Sequence, residues 1–458
     1  MVTKPIKYYK KRIAHKPKQL YKSNTIKTRI EKVVFGGNGI ATFDRMKVFV
    51  PYSAPQDVIQ AKIIERKHNY YVAEINKLIE PSPLRTKPPC PYFTDCGGCD
   101  FQHLRYEAQL DIKKESVAEV LARIGHIRLA RPLSISYSTP FHYRNKSQYP
   151  LANRPIRIGF YRPFSHHVID IERCLLHPTV FDEIRAVIKE QVIRTKEPIY
   201  NEINHSGNLR HIIIRQGMNT EEILLTFVTR IPYLEPKLFK PLPQHFKNII
   251  GMTQSINPER TNRILGNKSK TLYGHDYFYE LISGKKFKVS ANAFFQVNTL
   301  QAESIVKKLR EYLGSADKVL DLYCGVGMLS IMISDLADEL YGVEIDPDAI
   351  RDAKENAKMN KINNIEYVAA PAELAIRNYK NIDTIILDPP RKGCNENLLK
   401  NIARIKPKQI IYISCNPTTF ARDMTKLDNL NYHLKDYELI DMFPQTYHVE
   451  SIAKIIPK

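Results

Sequence analysis

Asp321-Leu322-Tyr323-Cys324-Gly325-Val326-Gly327 stands where an apolar strand, KVLDLYC, gives way to a helical stretch, MLSIMISDLA. The same alternation continues on its C-terminal side. ELYGVEID, IEYVAA, DTIILDPP and QIIYISC read as buried strands, and PDAIRDAKENAKMN reads as a helix between two of them. Strands that alternate with helices require crossover connections, and those build a parallel, doubly wound sheet. The C-terminal part of the chain is therefore expected to be a Rossmann-like α/β domain. Two closing strands, YELIDMFP and ESIAKIIP, lie close together and predict an antiparallel hairpin at the sheet edge.

Gly325 and Gly327 at the first strand-to-helix turn let backbone approach a ligand closely. Glu344 closes the next strand, where a carboxylate can accept hydrogen bonds from both hydroxyls of a ribose. A dinucleotide site would add a third glycine, so that the helix N-terminus could face a pyrophosphate. Here that place is held by Ser330, behind Met328 and Leu329. The early acid Asp321 also suits a cationic ligand better than an anionic one. S-adenosylmethionine, which has a nucleoside and a sulfonium but no phosphate, fits this pattern better than NAD.

Two further strand ends carry polar motifs. Asp388-Pro389-Pro390-Arg391 ends the fourth strand, and Arg391 stands where amino-methylating enzymes place an aromatic. Ser414-Cys415-Asn416-Pro417 ends the fifth. Many buried cysteines are inert packing, and that reading suits Cys324 and Cys394. It suits Cys415 poorly, because Ser-Cys-Asn-Pro is a polar turn. A thiolate there has a clear use. Carbon 5 of uracil is too weakly nucleophilic to attack a sulfonium methyl, and addition of sulfur to carbon 6 makes it carbanion-like. A base must then remove the carbon-5 proton. His448-Val449-Glu450 offers one, with Glu450 preferred over His448.

The rest of the chain points to a polyanion. The 458 residues carry 69 Lys and Arg against 48 Asp and Glu, a net charge of +21. Such an excess favours contact with nucleic-acid phosphates. Its densest part is the start, where Lys4 to Lys32 include a single acid, Glu31, and which reads as a disordered RNA-binding arm rather than a transit peptide. Residues 25–80 alternate like short strands around Gly36, Gly37 and Gly39 and suit a small basic β-barrel. The stretch from 126 to 280 is strand-rich, and segments such as FHYRNKSQYPL interleave Arg and Tyr in a way that suits RNA stacking and phosphate contact. No apolar run is long enough for a membrane span and no secretory leader is evident, so the expected location is the cytoplasm.

Seven cysteines, an odd number, argue against a disulfide framework. Cys90, Cys96 and Cys99 form C-x5-C-G-G-C, with Cys174 far downstream. Four thiolates suit an iron–sulfur cluster or a structural zinc. The wide spacing favours [4Fe–4S], with inert thiols as the plain alternative.

DLYCGVG, FFQVN, DPPRKG, SCNP and HVE, in the chain's order, resemble the RNA (uracil-5-)-methyltransferase family. The resemblance implies a class I methyltransferase domain, an S-adenosylmethionine donor, Cys415 as nucleophile and Glu450 as base. It carries donor contact to Gln296, and donor or base contact to Tyr323, Glu344 and Asp388, with Gly325 in the donor loop. It places Phe294 against the target base. Its 23S rRNA branch bears a [4Fe–4S] cluster on this cysteine spacing and an N-terminal TRAM barrel, which makes 23S rRNA the expected partner. The resemblance carries the family's adenine contact to Ala369-Ala370-Pro371, which offers no polar side chain, so no adenine ligand is named. The expected domains are an arm over 1–24, a TRAM/OB-like barrel over 25–82, a central α+β iron–sulfur and RNA-binding domain over 83–103 and 126–280, and the methyltransferase domain over 104–125 and 281–458.

Three other functions share parts of this pattern. One is uridine methylation of tRNA. Another is 5-methylcytidine formation, which usually needs a second cysteine that DPPR does not supply. The last is an RNA-binding assembly factor that has lost catalysis, against which the retained pair of Cys415 and Glu450 argues. No obligate protein partner is evident.

Overall fold

The computed structural model describes residues 25–458. The basic arm expected over 1–24 lies outside the described residues. The chain divides into two compact units, one built from the chain up to Ile112 with Tyr161–Ile169 and Gln445–Tyr447, the other from the remainder.

In the first unit, alternation of buried and exposed residues produces six strands in the order Thr25–Arg29, Val58–Arg66, Tyr70–Glu80, Met46–Pro51, Asn38–Phe43, Lys32–Val33. The stretch 25–33 pairs with Val58–Arg66 at its start and with Asn38–Phe43 at its end, so the sheet closes on itself. At the bend between them, the Ile30 amide donates to the Asp57 carbonyl and the Glu31 amide to the Ile40 carbonyl. The barrel is filled by Ile26, Ile30, Ala41, Val48, Val50, Ile59, Ala61, Tyr71 and Ala73. Burying such aliphatic side chains contributes roughly 1.5–3 kcal/mol each, which is what holds so small a barrel.

The second unit contains two large sheets and a two-stranded one, Tyr277–Ile282 with Lys285–Ser290. One large sheet includes the run Lys146–Ala152, Leu209–Gln216, Ile223–Thr229, Ile249–Ile256, Lys268–Gly274. Its middle strands Leu209–Gln216 and Ile223–Thr229 are buried throughout, the polar Arg210, His211, Arg215 and Gln216 of the first included. The other sheet is the predicted doubly wound one. Its order is Ile365–Ala369, Ala337–Glu344, Ala316–Leu322, Thr384–Leu387, Gln409–Ser414, Glu450–Pro457, Tyr432–Ile440, Ile135–Ser136. The first five strands run parallel.

Two local expectations need correction. The closing antiparallel pair does form, but Ile135–Ser136 runs parallel along Tyr432–Ile440 and takes the edge. The final strand, Glu450–Pro457, inserts between Gln409–Ser414 and Tyr432–Ile440. The helix expected over MLSIMISDLA is also shorter. It spans Met328–Met332 and tightens to a 3-10 turn at Ser334–Leu336. A tightened last turn satisfies carbonyls that would otherwise lack donors.

Candidate active site

The doubly wound sheet lines up its polar strand ends in one row. In spatial order, Glu344 ends one strand, Tyr323 follows the next, Asp388 the third, Cys415 the fourth, and Glu450 opens the inserted antiparallel strand. This is the carboxyl edge, where open α/β sheets place ligands.

The turn after Leu322 is shaped for close approach. Tyr323 and Gly325 both lie in the left-handed region, at φ 70° and 54°. A side chain at Gly325 would meet nothing within 4 Å, so the backbone there faces open space. A non-glycine residue held at positive φ stores strain and often marks a site. The Glu344 carboxylate accepts from the Gly325 amide at 3.3 Å, Ile345 at 2.7 Å and Asp346 at 3.0 Å. Its position beside the turn is thus fixed by backbone. Gly327 has a different reason, since a Cβ there would come within 2.5 Å of the Tyr367 hydroxyl.

Asp321 anchors the turn through one of its oxygens. It is fully buried and accepts from Ser330 Oγ at 2.7 Å, which ties the turn to the following helix. Burial pushes its carboxyl up to about 6. Ser330, where a dinucleotide site would have glycine, is therefore a structural anchor.

Cys415 and Glu450 come together through strand register. Ser414 pairs with Ser451, and Ser451 Oγ donates to the Ser414 carbonyl at 3.0 Å. Cys415 follows Ser414 and Glu450 precedes Ser451, so both lie at the same end of this antiparallel pair. Their charges interact accordingly. Burial, then Glu450, push the Cys415 thiol up to about 12, while Arg391 pulls it down. Glu450 is 4% exposed, and its Oε1 has no hydrogen-bond partner among the described residues. Burial and the neighbouring Asp388 push its carboxyl well above the usual range, and Arg391 again opposes. Asp388 itself is pushed up to about 7 by burial, Asp321 and Glu344. Two carboxyls and a thiol so placed cannot all carry charge, and Arg391 is the cation beside them.

Arg391 is exposed, and its backbone carbonyl accepts from Asn416 Nδ2 at 3.1 Å and Thr419 Oγ1 at 3.3 Å. The two motif turns, DPPR and SCNP, are thereby locked to each other. Sequence reading noted Arg391 only as a departure from amino methylation. His448 lies 3.4 Å from Arg391 Nη2, and burial with Arg391, Lys113 and Arg144 pushes its imidazole down to about 3. A neutral imidazole held that low is a poor general base at neutral pH.

The FFQVN segment splits its aromatics. Phe295 is buried in the core and Phe294 is 67% exposed, free to stack on a base. Gln296 is buried, and the loop is fixed from the central sheet. Asn145 Nδ2 donates to the Gln296 carbonyl at 2.9 Å, and the Asn145 amide to the Val297 carbonyl at 2.9 Å. Asn145 was not singled out from the sequence, although FHYRNKSQYPL was marked for RNA contact.

The four cysteines proposed as cluster ligands are half-buried and free of disulfides. Cys90, Cys96 and Cys99 belong to the first unit and Cys174 to the second. Among the described residues no group of three or more His, Cys, Asp or Glu side chains is gathered closely enough to hold a metal ion. The donor chemistry of the loop nevertheless suits thiolates. Gln102 Nε2 donates to Cys99 Sγ at 3.1 Å, and the Gly98 amide supports a charge on Cys96, which burial otherwise pushes up to about 11. No helix among the described residues is long and apolar enough to cross a membrane.

Known proteins share this architecture. Residues 260–455 match the family described as tRNA (uracil-5-)-methyltransferase, and residues 26–84 match the TRAM domain described for tRNA (uracil(54)-C(5))-methyltransferase. An uncharacterised RNA methyltransferase of Halalkalibacterium halodurans is 39% identical over 448 residues, covering 94% of this chain and 97% of its own. One from Staphylococcus aureus is 37% identical, covering 95% and 99%. The crystal structure of Pyrococcus abyssi tRNA (uracil-54, C5)-methyltransferase with S-adenosyl-L-homocysteine is 29% identical, covers 94% of this chain and 100% of its own, and superposes with a TM-score of 0.77. The doubly wound sheet with its polar carboxyl edge, the N-terminal barrel and these likenesses together show that the chain belongs to the S-adenosylmethionine-dependent RNA (uracil-5-)-methyltransferase family with an N-terminal TRAM domain.

Proposed function

We propose that this protein methylates carbon 5 of a uridine in 23S rRNA through a covalent bond from Cys415 to carbon 6 of the base. The observation that supports the reading is the pairing of Ser414 with Ser451, which brings the next residue, Cys415, and the preceding one, Glu450, to the same end of the sheet, where the Glu450 charge acts on the thiol. In the first step Cys415 releases its proton to solvent and its sulfur adds to carbon 6, and the ring electrons move to the 4-carbonyl as an enolate. Carbon 5 then takes the methyl group of S-adenosylmethionine, which leaves as the thioether S-adenosylhomocysteine. Glu450 removes the remaining carbon-5 proton, the enolate re-forms, and the sulfur departs from carbon 6.

The geometry supports these roles. The Arg391 guanidinium favours the thiolate at Cys415. Glu450, buried and with a free oxygen, is a stronger base than an exposed carboxylate. Phe294 is exposed to stack on the flipped base. Tyr323, Gly325, Glu344, Asp388 and Gln296 line the donor pocket in this reading. Cys90, Cys96, Cys99 and Cys174 are the thiols that would hold a [4Fe–4S] cluster with a structural role in the central domain, and the amide donors at Cys96 and Cys99 suit thiolates. The protein works in the cytoplasm.

A tRNA substrate is the second reading. The TRAM match and the Pyrococcus abyssi relative are both described as tRNA uracil-54 enzymes, so the barrel does not separate the two RNAs. The choice of 23S rRNA rests on the cysteine spacing. Mass-spectrometric mapping of 23S rRNA and tRNA from a deletion strain decides it. Loss of one or more 5-methyluridines from 23S rRNA is expected, and loss confined to tRNA overturns the rRNA reading.

A further inference from the structure

Lys146 is a cation beside the FFQVN loop that has no counter-ion among the described residues. It opens the strand Lys146–Ala152 and pairs directly with Arg215 on the neighbouring strand. Like charges opposite each other in a sheet are destabilising. Arg215 turns its guanidinium away to the carbonyls of Ser290, Ala291 and Ala293, at 3.0, 3.2 and 2.8 Å. Those carbonyls lead straight into Phe294. Lys146 has no such outlet. Among the described residues neither Lys146 nor Arg144 forms an ion pair.

The face that bears Lys146 is the one turned to the catalytic core. In the row Lys146, Arg215, Leu224, the last packs with Phe278, Phe295, Ile413 and Ile440. Arg144 joins Lys146 there. Its Nε donates to the Lys146 carbonyl at 3.1 Å, its backbone bridges to Asn298, and its charge reaches His448. Two half-buried cations thus stand next to the exposed Phe294 and the polar edge of the sheet, with no carboxylate to neutralise them.

We propose that Lys146, with Arg144, seats a backbone phosphate of the RNA next to the target uridine. The inference rests on the RNA substrate of the preceding reading and adds the group that holds the strand. A base can reach Phe294 and Cys415 only if its nucleotide is turned out of the helix, and a fixed phosphate on either side holds that turn. Burial with the neighbouring Arg215 and Arg144 pushes the Lys146 ammonium down to about 7, as expected of a cation lacking its partner. An arriving phosphate supplies that partner.

The test is binding of a labelled uridine-rich single-stranded RNA to the full chain carrying Cys415→Ala, across a salt series. Adding Lys146→Met should weaken binding about tenfold and lower the slope of log affinity against log salt by about one, the loss of one phosphate contact. Lys146→Arg should restore the slope, and affinity for S-adenosylmethionine should stay unchanged in both. An unchanged slope and affinity in Lys146→Met overturns the proposal. A second measurement needs no substitution. RNA should protect Lys146 from acylation by an amine reagent, read by peptide mass spectrometry, and equal labelling with and without RNA also overturns it. Correct salt behaviour with no 5-methyluridine product would leave the phosphate seat standing and sink the carbon-5 reading instead.

Discussion

Glu450 sits beside Cys415 at one end of the antiparallel pairing of Ser414 with Ser451, and its charge, after burial, pushes the thiol up. A thiol and a carboxyl brought together by backbone pairing need no flexible loop to find each other. Their relation is as rigid as the sheet.

That rigidity makes the consequence of removing sulfur simple. Cys415→Ala should lower methyl transfer by at least about a thousandfold, since the covalent route is lost. The neighbouring strand pairing is untouched, so RNA affinity should hold within about threefold. Methyl-group incorporation from labelled donor, measured beside a binding assay, separates the two. Turnover near the original rate would rule out a covalent role for Cys415.

The thiol's reactivity should follow its surroundings. Burial and Glu450 raise Cys415 to about 12, so the neutral thiol dominates at pH 7 and the thiolate fraction climbs with pH. Alkylation of Cys415 by iodoacetamide, followed at peptide resolution, should rise roughly tenfold per pH unit from about pH 7 to 10. Arg391→Gln removes the cation that favours the thiolate and should slow alkylation about tenfold at fixed pH. A plateau near pH 8.5 would mean that the thiol is not held up by burial.

The donor loop offers a steric test. Gly325 sits at φ 54° with open space where a side chain would project. Gly325→Val both strains the turn and fills that space, at a cost of about 1–3 kcal/mol. Calorimetric affinity for S-adenosylmethionine should fall at least about tenfold with the thermal midpoint shifted by only a few degrees. Unchanged affinity would move the donor away from this turn.

The cysteine loop predicts colour. Anaerobically purified protein should be brown with about four irons per chain, as a four-thiolate cluster requires. Colourless protein holding zinc would replace the cluster by a structural zinc site.

Much of this was legible in the chain. The change from strand-rich text to alternating strand and helix fixes the parallel sheet, and the polar turns DLYCGVG, DPPR and SCNP stand out because core strands do not end that way. The insertion of Glu450–Pro457 beside Gln409–Ser414 was not legible, since strand order depends on tertiary packing rather than on local pattern. The same limit hid Asn145, whose side chain holds a loop 151 residues away. The bond from Ser330 to the buried Asp321 was hidden as well, because it depends on how the helix folds back on the turn.

The most direct test of the account is Glu450→Gln mixed with substrate RNA and S-adenosylmethionine and run on a denaturing gel. Without a base to take the carbon-5 proton, the methylated nucleotide should stay bonded to the protein as a slow-migrating band, and mass spectrometry should place the bond at Cys415. A Glu450→Gln protein that turns over freely with no adduct, or an adduct on another residue, would contradict the account.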